Sequence, residues 1–225
     1  MKVTLNVKFK EDTKKVDFTV NKLICAGWSG RDPADIQKHV DELRHLGIQP
    51  PDKFPIIFPV SRYLLTAGEE IEVISPETSG EVEYVIFYNN KEEYYISVGS
   101  DHTDRALEGI SIEKSKQSCP KIISQKAWPY QDVKEHWDNI TIKSIVEHKG
   151  KKILYQEGSL KSLLKPETLL DHIDIERFGE KGLVIFSGTI PLTTGELVYS
   201  NKFGFVMTDP FLKREITGEY KVKIL

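Results

Sequence analysis

The first twenty residues alternate. Val3, Leu5, Val7 and Phe9 recur at every second position, Glu11-Asp12-Thr13 makes a polar turn, and Val16, Phe18 and Val20 resume the pattern. Side chains two apart on an extended chain share a face, so this stretch predicts a β-hairpin over residues 1–20. Leu23-Ile24-Cys25-Ala26 is a short apolar run that ends in a loop of breakers, Gly27-Trp28-Ser29-Gly30. The period then changes. Asp32-Pro33 is a helix start, a capping carboxylate followed by proline at the first helical position. Ile36, His39, Val40 and Leu43 recur at helical spacing until Gly47 and Pro50-Pro51 end the run.

Beyond Pro51 the strand signal dominates. PIIFPVSRYLL and Glu70-Ile71-Glu72-Val73-Ile74 are short segments punctuated by proline. EVEYVIFYNNKEEYYISVGSD reads as two strands joined at Asn89-Asn90, and ITIKSIVEHKGKKILYQEGSL as two more joined at Lys149-Gly150. ALEGISIEKSK predicts a helix, although Gly109 and its β-branched residues weaken it. Leu160 to Ile173 predicts another helix, with an early Pro166, and Leu183-Val184-Ile185-Phe186 a buried strand. With no repeat or linker, the pattern predicts one β-rich α+β domain carrying two or three helices on its rim.

Composition narrows what such a domain does. At 225 residues the chain is long enough for one sizeable core. Its 31 Lys and Arg against 34 Asp and Glu give a net charge of -3, without the basic balance that nucleic-acid binding needs. No apolar run approaches the roughly 20 residues of a membrane helix. The alternating N-terminus lacks the continuous apolar block of a signal peptide. Two cysteines, Cys25 and Cys119, point to a reduced compartment rather than a disulfide framework. The expectation is a cytoplasmic protein with neither nucleic acid nor membrane as a partner.

Three local features carry chemistry. Glu81-Val82-Glu83 places two carboxylates on one side of a strand while Val82, Val85 and Phe87 supply core positions. Ser100-Asp101-His102-Thr103-Asp104-Arg105 follows a strand, where the chain leaves the sheet and functional side chains project. A third carboxylate there, Asp101, would complete an all-oxygen shell for a hard divalent cation. His39 and Glu42 are three apart on the predicted helix, so the carboxylate can fix the imidazole tautomer and raise its basicity toward water. Taken singly each has an ordinary reading: a solvated strand face, a helix cap, a surface pair. His45, His102, His136, His148 and His172 show no ligand spacing, though His102 adjoins Asp101. Trp28, Trp128 and Trp137 read as packing residues, and Cys119 has no base beside it. No nucleophile elbow, phosphate loop or dinucleotide fingerprint is present.

In order, however, CAGWSGRD, HVDE, EVEYVIF, SDHTDRAL, QKAW and FSGT resemble the motif series of the fumarylacetoacetate hydrolase superfamily from about Ile24 onward. The chain is similar to a distant branch of it, with Gly30-Arg31-Asp32 and Ile190-Pro191 departing from the usual pattern around the substrate pocket. The resemblance implies that superfamily's C-terminal catalytic fold, mixed sheets in a roll or sandwich with a few rim helices. Residues 21–225 would form that catalytic domain and residues 1–20 an appended hairpin.

It further implies Glu81, Glu83 and Asp101 as ligands of Mg²⁺ or Mn²⁺, and His39 with Glu42 as a water-activating dyad. Lys126 would stabilise oxyanionic charge, with Lys114, Lys116 and Lys121 as nearby alternatives. Arg31, Arg105 and Thr189 would meet the substrate, a small carboxylic acid. The implied activity is metal-dependent hydrolysis of a C–C bond in a β-diketo acid such as an acylpyruvate, through a metal-bound enolate. A decarboxylase, hydratase or isomerase of a 2-oxo acid uses the same parts, and a non-catalytic acid-binding member is a further alternative. Relatives pair through their sheets, which implies a homodimer.

Overall fold

The N-terminal alternation builds a hairpin: β1 (Lys2–Lys8) and β2 (Thr13–Thr19) pair antiparallel, from Lys2 opposite Thr19 to Lys8 opposite Thr13. Leu5, Val7 and Phe18 are fully buried, as the period of two requires. The architecture comes from a computed structural model that describes residues 1–34, 37 and 53–225. Most of the helix expected from Asp32, including Ile36, Val40, Leu43, His39 and Glu42, lies outside the described residues. At its start, the Asp32 carboxylate accepts a 2.8 Å bond from the Ala34 amide, as a capping aspartate does.

The strands that follow are β3 (Lys22–Gly27), β4 (Ile56–Val60), β5 (Leu65–Thr66), β6 (Glu70–Val73), β7 (Thr78–Ser79), β8 (Val82–Tyr88), β9 (Tyr94–Asp101), β10 (Thr103–Asp104), β11 (Lys121–Ile123) and β12 (Lys126–Pro129). The series ends with β13 (Thr141–His148), β14 (Lys151–Ser159), β15 (Leu183–Phe186), β16 (Lys202–Asp209) and β17 (Arg214–Ile224). Among the described residues they form a ten-stranded mixed sheet with the path β2-β1-β12-β9-β8-β15-β3-β4, on which β11 and β5 branch from β9. A five-stranded sheet runs β14-β13-β16-β17-β6, and β7 pairs with β10.

The central strand explains the layering. All of β8 is buried. Val82, Tyr84 and Ile86 join one apolar cluster with Trp137 and Ile142, whereas Val85 and Phe87 join a second with Leu5, Phe18 and Phe186. Val82 and Val85 therefore lie on opposite faces, because both sides of this strand are covered. The first cluster locks through aromatic edges: Tyr84 meets Trp137 at 5.1 Å and 88°, and Tyr94 stacks on Tyr130 at 4.7 Å.

The turns follow their chemistry. Asn90 accepts from the amides of Glu92 and Glu93, both at 2.9 Å, and closes the β8–β9 connection. Lys149 and Gly150 both take positive φ, 51° and 75°, the primed geometry that matches strand twist in the β13–β14 hairpin.

The rim helices are shorter than the spacing predicts. ALEGISIEKSK splits into α1 (Arg105–Glu108), capped by Asp104, and α2 (Ile112–Gln117), capped anew by Ser111. The break at Gly109 is where helix propensity is weakest. A single turn, α3 (Tyr130–Val133), precedes β13. The Leu160-to-Ile173 stretch divides into a 3₁₀ turn, Leu160–Ser162, and α4 (Pro166–Asp171), since proline begins a helix better than it continues one. A last turn, α5 (Ile175–Phe178), leads to β15. Among the described residues no helix is long and apolar enough to cross a membrane.

Gly99 is fixed by close approach: a Cβ there would lie 2.3 Å from the Ile122 carbonyl of β11 and 3.0 Å from Phe186. Gly99→Ala is expected to lower stability by about 1–3 kcal/mol through overpacking. Urea unfolding of variant and wild type checks this, and an unchanged midpoint counts against it.

Candidate metal centre

Antiparallel pairing brings the carboxylates together. β8 and β9 align Glu83 with Gly99 and Val82 with Ser100, and the Asp101 amide donates to the Glu81 carbonyl at 3.0 Å. Glu81 and Asp101 are thus cross-strand neighbours, with Glu83 two residues along on the same face. One carboxylate oxygen from each of Glu81, Glu83 and Asp101 lies within 4.8 Å of the others, so the three could hold a metal ion. Asp101 and Glu83 are buried, and the Glu81 side chain keeps 16% of its surface exposed.

Like charges at this spacing repel, and burial removes the water that would screen them. Three cations compensate. The Lys116 ammonium lies 2.5 Å from Asp101 Oδ2 and 3.4 Å from Glu81 Oε2. Lys121, fully buried, lies 2.7 Å from Asp101 Oδ1 and donates to the His102 carbonyl at 2.7 Å. Arg105 donates to Glu81 at 3.2 Å, to Glu108 at 2.8 Å and to the Ser79 hydroxyl at 2.7 Å.

The titration behaviour follows. Burial pushes Asp101 upward, but Lys116 and then Lys121 outweigh it and hold its carboxyl well below the ordinary carboxylate range. Glu83 goes the other way: burial, then the Asp101 charge, raise it well above its usual value. Burial lowers Lys116, yet the carboxylates of Asp101 and Glu81 more than reverse this and keep it protonated. His102 is pushed down to about 3 by burial, with Lys121 and Arg105 adding. It points away from the cage, its Nδ1 2.8 Å from the Tyr220 hydroxyl.

Glu83 is anchored at one oxygen only. Oε2 accepts the Gly188 amide at 2.8 Å, while Oε1 is buried without a hydrogen-bond partner among the described residues. A buried carboxylate oxygen without a donor is expensive, and a bound cation is one thing that satisfies it. The donor set is hard oxygen throughout, which suits Mg²⁺ or Mn²⁺. Gly188 itself has φ 87°, and a Cβ there would strike the Ser29 hydroxyl at 2.3 Å, so only glycine presents this amide to Glu83.

A pocket of about 470 Å³ opens beside the carboxylates, lined by Glu81, Glu83, Lys116, Trp28, Phe58 and Thr189 among others. Trp28 holds φ 50°, a left-handed conformation that costs a bulky residue roughly 1–2 kcal/mol.

The remaining sequence-predicted residues fall in several places. His39 and Glu42 lie outside the described residues. Lys126 is exposed at the start of β12: its neighbour Ala127 faces the core, so alternation turns Lys126 outward. Among the described residues, Lys116 and Lys121 are the lysines that reach the carboxylates. Arg31 does not line the pocket; it forms a two-pronged pair with Asp138 at 2.8 and 3.0 Å and donates to the Leu163 carbonyl at 3.0 Å. Arg105 braces Glu81 and Glu108. Thr189 lines the pocket, but its hydroxyl proton goes to the Val82 carbonyl at 2.8 Å.

Gln156, unmarked by any motif, accepts from the Val82 amide and the Ser144 hydroxyl, each at 3.0 Å. It donates to Thr189 at 2.7 Å and to the Ile190 carbonyl at 2.8 Å.

These sheets, short rim helices and strand-borne carboxylates define the fumarylacetoacetate hydrolase-like fold. The chain belongs to the family described as Protein of unknown function (DUF2848), whose model matches residues 26–220. No curated protein matches it. Among solved structures it is similar to 2-keto-3-deoxy-D-arabinonate dehydratase complexed with magnesium and 2,5-dioxopentanoate (TM-score 0.63, 17% identity, covering 96% of this chain and 77% of that one). It is also similar to fumarylacetoacetate hydrolase from psychrophilic Exiguobacterium antarcticum (TM-score 0.57, 16% identity, 96% and 80% covered). A third is 5-carboxymethyl-2-hydroxymuconate delta-isomerase from Mycobacterium smegmatis (TM-score 0.58, 14% identity, 95% and 87% covered). At such identities the likeness establishes the fold.

Lys121→Met removes one partner of a buried charge and is expected to lower metal-free stability at pH 7 by about 3–5 kcal/mol. Because the folded Asp101 value is depressed, its contribution is present above the unfolded carboxylate value near ~3.9 and is lost as pH falls through the folded value. The deficit of Lys121→Met should therefore shrink in acid. Urea unfolding at pH 7 and below pH 4 measures it, and a pH-independent deficit would contradict the pairing.

Proposed function

We propose that this protein is a divalent-metal-dependent enzyme that acts on a 2-oxo acid, hydrolysing a C–C bond in an acylpyruvate-like substrate. The observation that supports this most is the carboxylate triad of Glu81, Glu83 and Asp101 with an unpartnered buried oxygen on Glu83 beside an open pocket. A bound Mg²⁺ or Mn²⁺ supplies Lewis acidity toward the oxo-acid oxygens.

The chain's own residues supply the rest. Lys116 lines the pocket and presents a fixed positive charge where the leaving enolate develops. It takes the part expected of Lys126. His39, oriented by Glu42, is assigned by the family resemblance to take a proton from water. The water oxygen bonds to the distal acyl carbon, and the bond from that carbon to C3 of the oxo acid breaks. Its electron pair stays with C3, and a proton at C3 completes pyruvate beside a carboxylic acid. Arg105 holds Glu81 in place.

The triad also suits a dehydratase or isomerase, since each of these reactions develops enolate charge and they differ in where the proton goes. The assignment of residues 21–225 as the catalytic domain, a cytoplasmic location and a homodimer remain part of the proposal.

Mg²⁺ or Mn²⁺ is expected to raise the thermal midpoint by mass action. Glu83→Gln, which keeps an acceptor for the Gly188 amide but removes a buried charge, should raise metal-free stability by roughly 1 kcal/mol or more while abolishing the metal shift. A wild type indifferent to both ions would end the metal reading. NMR of products from acylpyruvates and oxaloacetate then separates hydrolysis, giving pyruvate and a carboxylic acid, from decarboxylation. Gel filtration at a dimer's volume is expected, and a clean monomer would remove the dimer.

A further inference from the structure

The pocket beside the carboxylates has two chemistries in its lining. Its polar part is Glu81, Glu83, Glu108 and Lys116. Its apolar part includes Trp28, Phe58 and Ile112. These three belong to one surface: Phe58 is a member of the apolar cluster under the ten-stranded sheet, and Trp28 and Ile112, half-buried, pack against that cluster. Trp28 is held at φ 50°, and its indole meets the Phe54 ring edge-on at 6.1 Å and 81°. A bulky residue keeps such a backbone only where its surroundings over-determine it, and such residues gather at ligand clamps.

The charges point the same way. Among the described residues lining the pocket, Lys116 is the only cation, whereas three carboxylates line it. The other cations at the cage are already engaged, Arg105 by Glu81, Glu108 and Ser79, and Lys121, fully buried, by Asp101 and the His102 carbonyl. A substrate arm ending in a second carboxylate would lose its hydration against Glu108 with no free cation among the described lining residues to pair. An apolar arm instead removes its own surface and that of Trp28 and Ile112 from water.

We propose that the substrate is a monocarboxylate whose distal acyl arm is apolar, an aryl or branched-alkyl group clasped by Trp28, Phe58 and Ile112, with Trp28 as the specificity-determining residue. This rests on the reaction proposed above. It adds what that reaction leaves open: which acyl group departs as the carboxylic acid.

The test uses the full chain loaded with Mg²⁺ or Mn²⁺ and three acylpyruvates whose arms are methyl, phenyl and carboxyethyl. The phenyl arm is expected to show kcat/KM about tenfold or more above both others. Trp28→Ala should cut the phenyl-to-methyl ratio by about tenfold, and Trp28→Phe should retain most of it. A carboxyethyl arm turned over as well as phenyl, or a ratio untouched by Trp28→Ala, overturns the proposal. Should Trp28→Ala fail to fold, Ile112→Lys adds a cation to the apolar lining and is expected to move the preference toward carboxyethyl; an unmoved preference would also overturn it. Calorimetry with uncleavable 2-oxo acids separates this inference from the reaction beneath it. Phenylpyruvate should bind about tenfold tighter than pyruvate or 2-oxoglutarate. If no acylpyruvate is cleaved yet phenylpyruvate keeps its advantage, the reaction is wrong and the clamp stands; equal affinities defeat the clamp.

Discussion

Everything at this site follows from the cost of burying like charges. Glu81, Glu83 and Asp101 converge where little water reaches them, and three carboxylates so placed cannot all stay ionised without compensation. Among the described residues the chain answers with Lys116, Lys121 and Arg105. The neutralisation is uneven. Asp101 takes two lysines and stays ionised, while Glu83 takes only a backbone amide on one oxygen and is pushed toward its protonated form. Glu83 is therefore where an added cation gains most.

The fold exists to make that arrangement rigid. β8 is buried on both faces, so its register cannot slip without turning Glu83 into one apolar cluster or the other. Gly99, opposite Glu83, lets β11 cross closely, and that crossing sets Lys121 opposite Asp101 in the β11–β9 ladder. Lys116 comes from the short helix after the Gly109 break, so the interruption of the expected helix is what positions the second lysine.

Period and turn chemistry made much of this legible in the sequence. The N-terminal hairpin, the β8–β9 and β13–β14 pairs and the buried β15 follow from residues near one another in the chain. The carboxylates are likewise local, Glu81 just before β8, Glu83 on it and Asp101 at the end of β9. The lysines were not legible, because whether Lys116, Lys121 or Lys126 reaches Asp101 depends on how β11 pairs and on the side to which Ala127 turns its neighbour. Arg31 sat beside a family-like glycine loop, but its partner Asp138 is more than a hundred residues away. Gln156 carries no local mark, since apart from Ser144 across its own hairpin every partner it holds belongs to a distant segment.

That glutamine has a consequence for how the site can change. Its amide bonds to the Val82 amide at one end and to Thr189 and Ile190 at the other, so ligand strand and pocket loop are both riveted to the five-stranded sheet. Side chains of the loop can be exchanged while the rivet keeps the backbone seated. Under the proposal, the carboxylates that would hold a cation and the side chains that would meet the arm, Trp28, Phe58 and Ile112, come from different segments, so the preference for one arm over another could change while the acidic cage stays as it is.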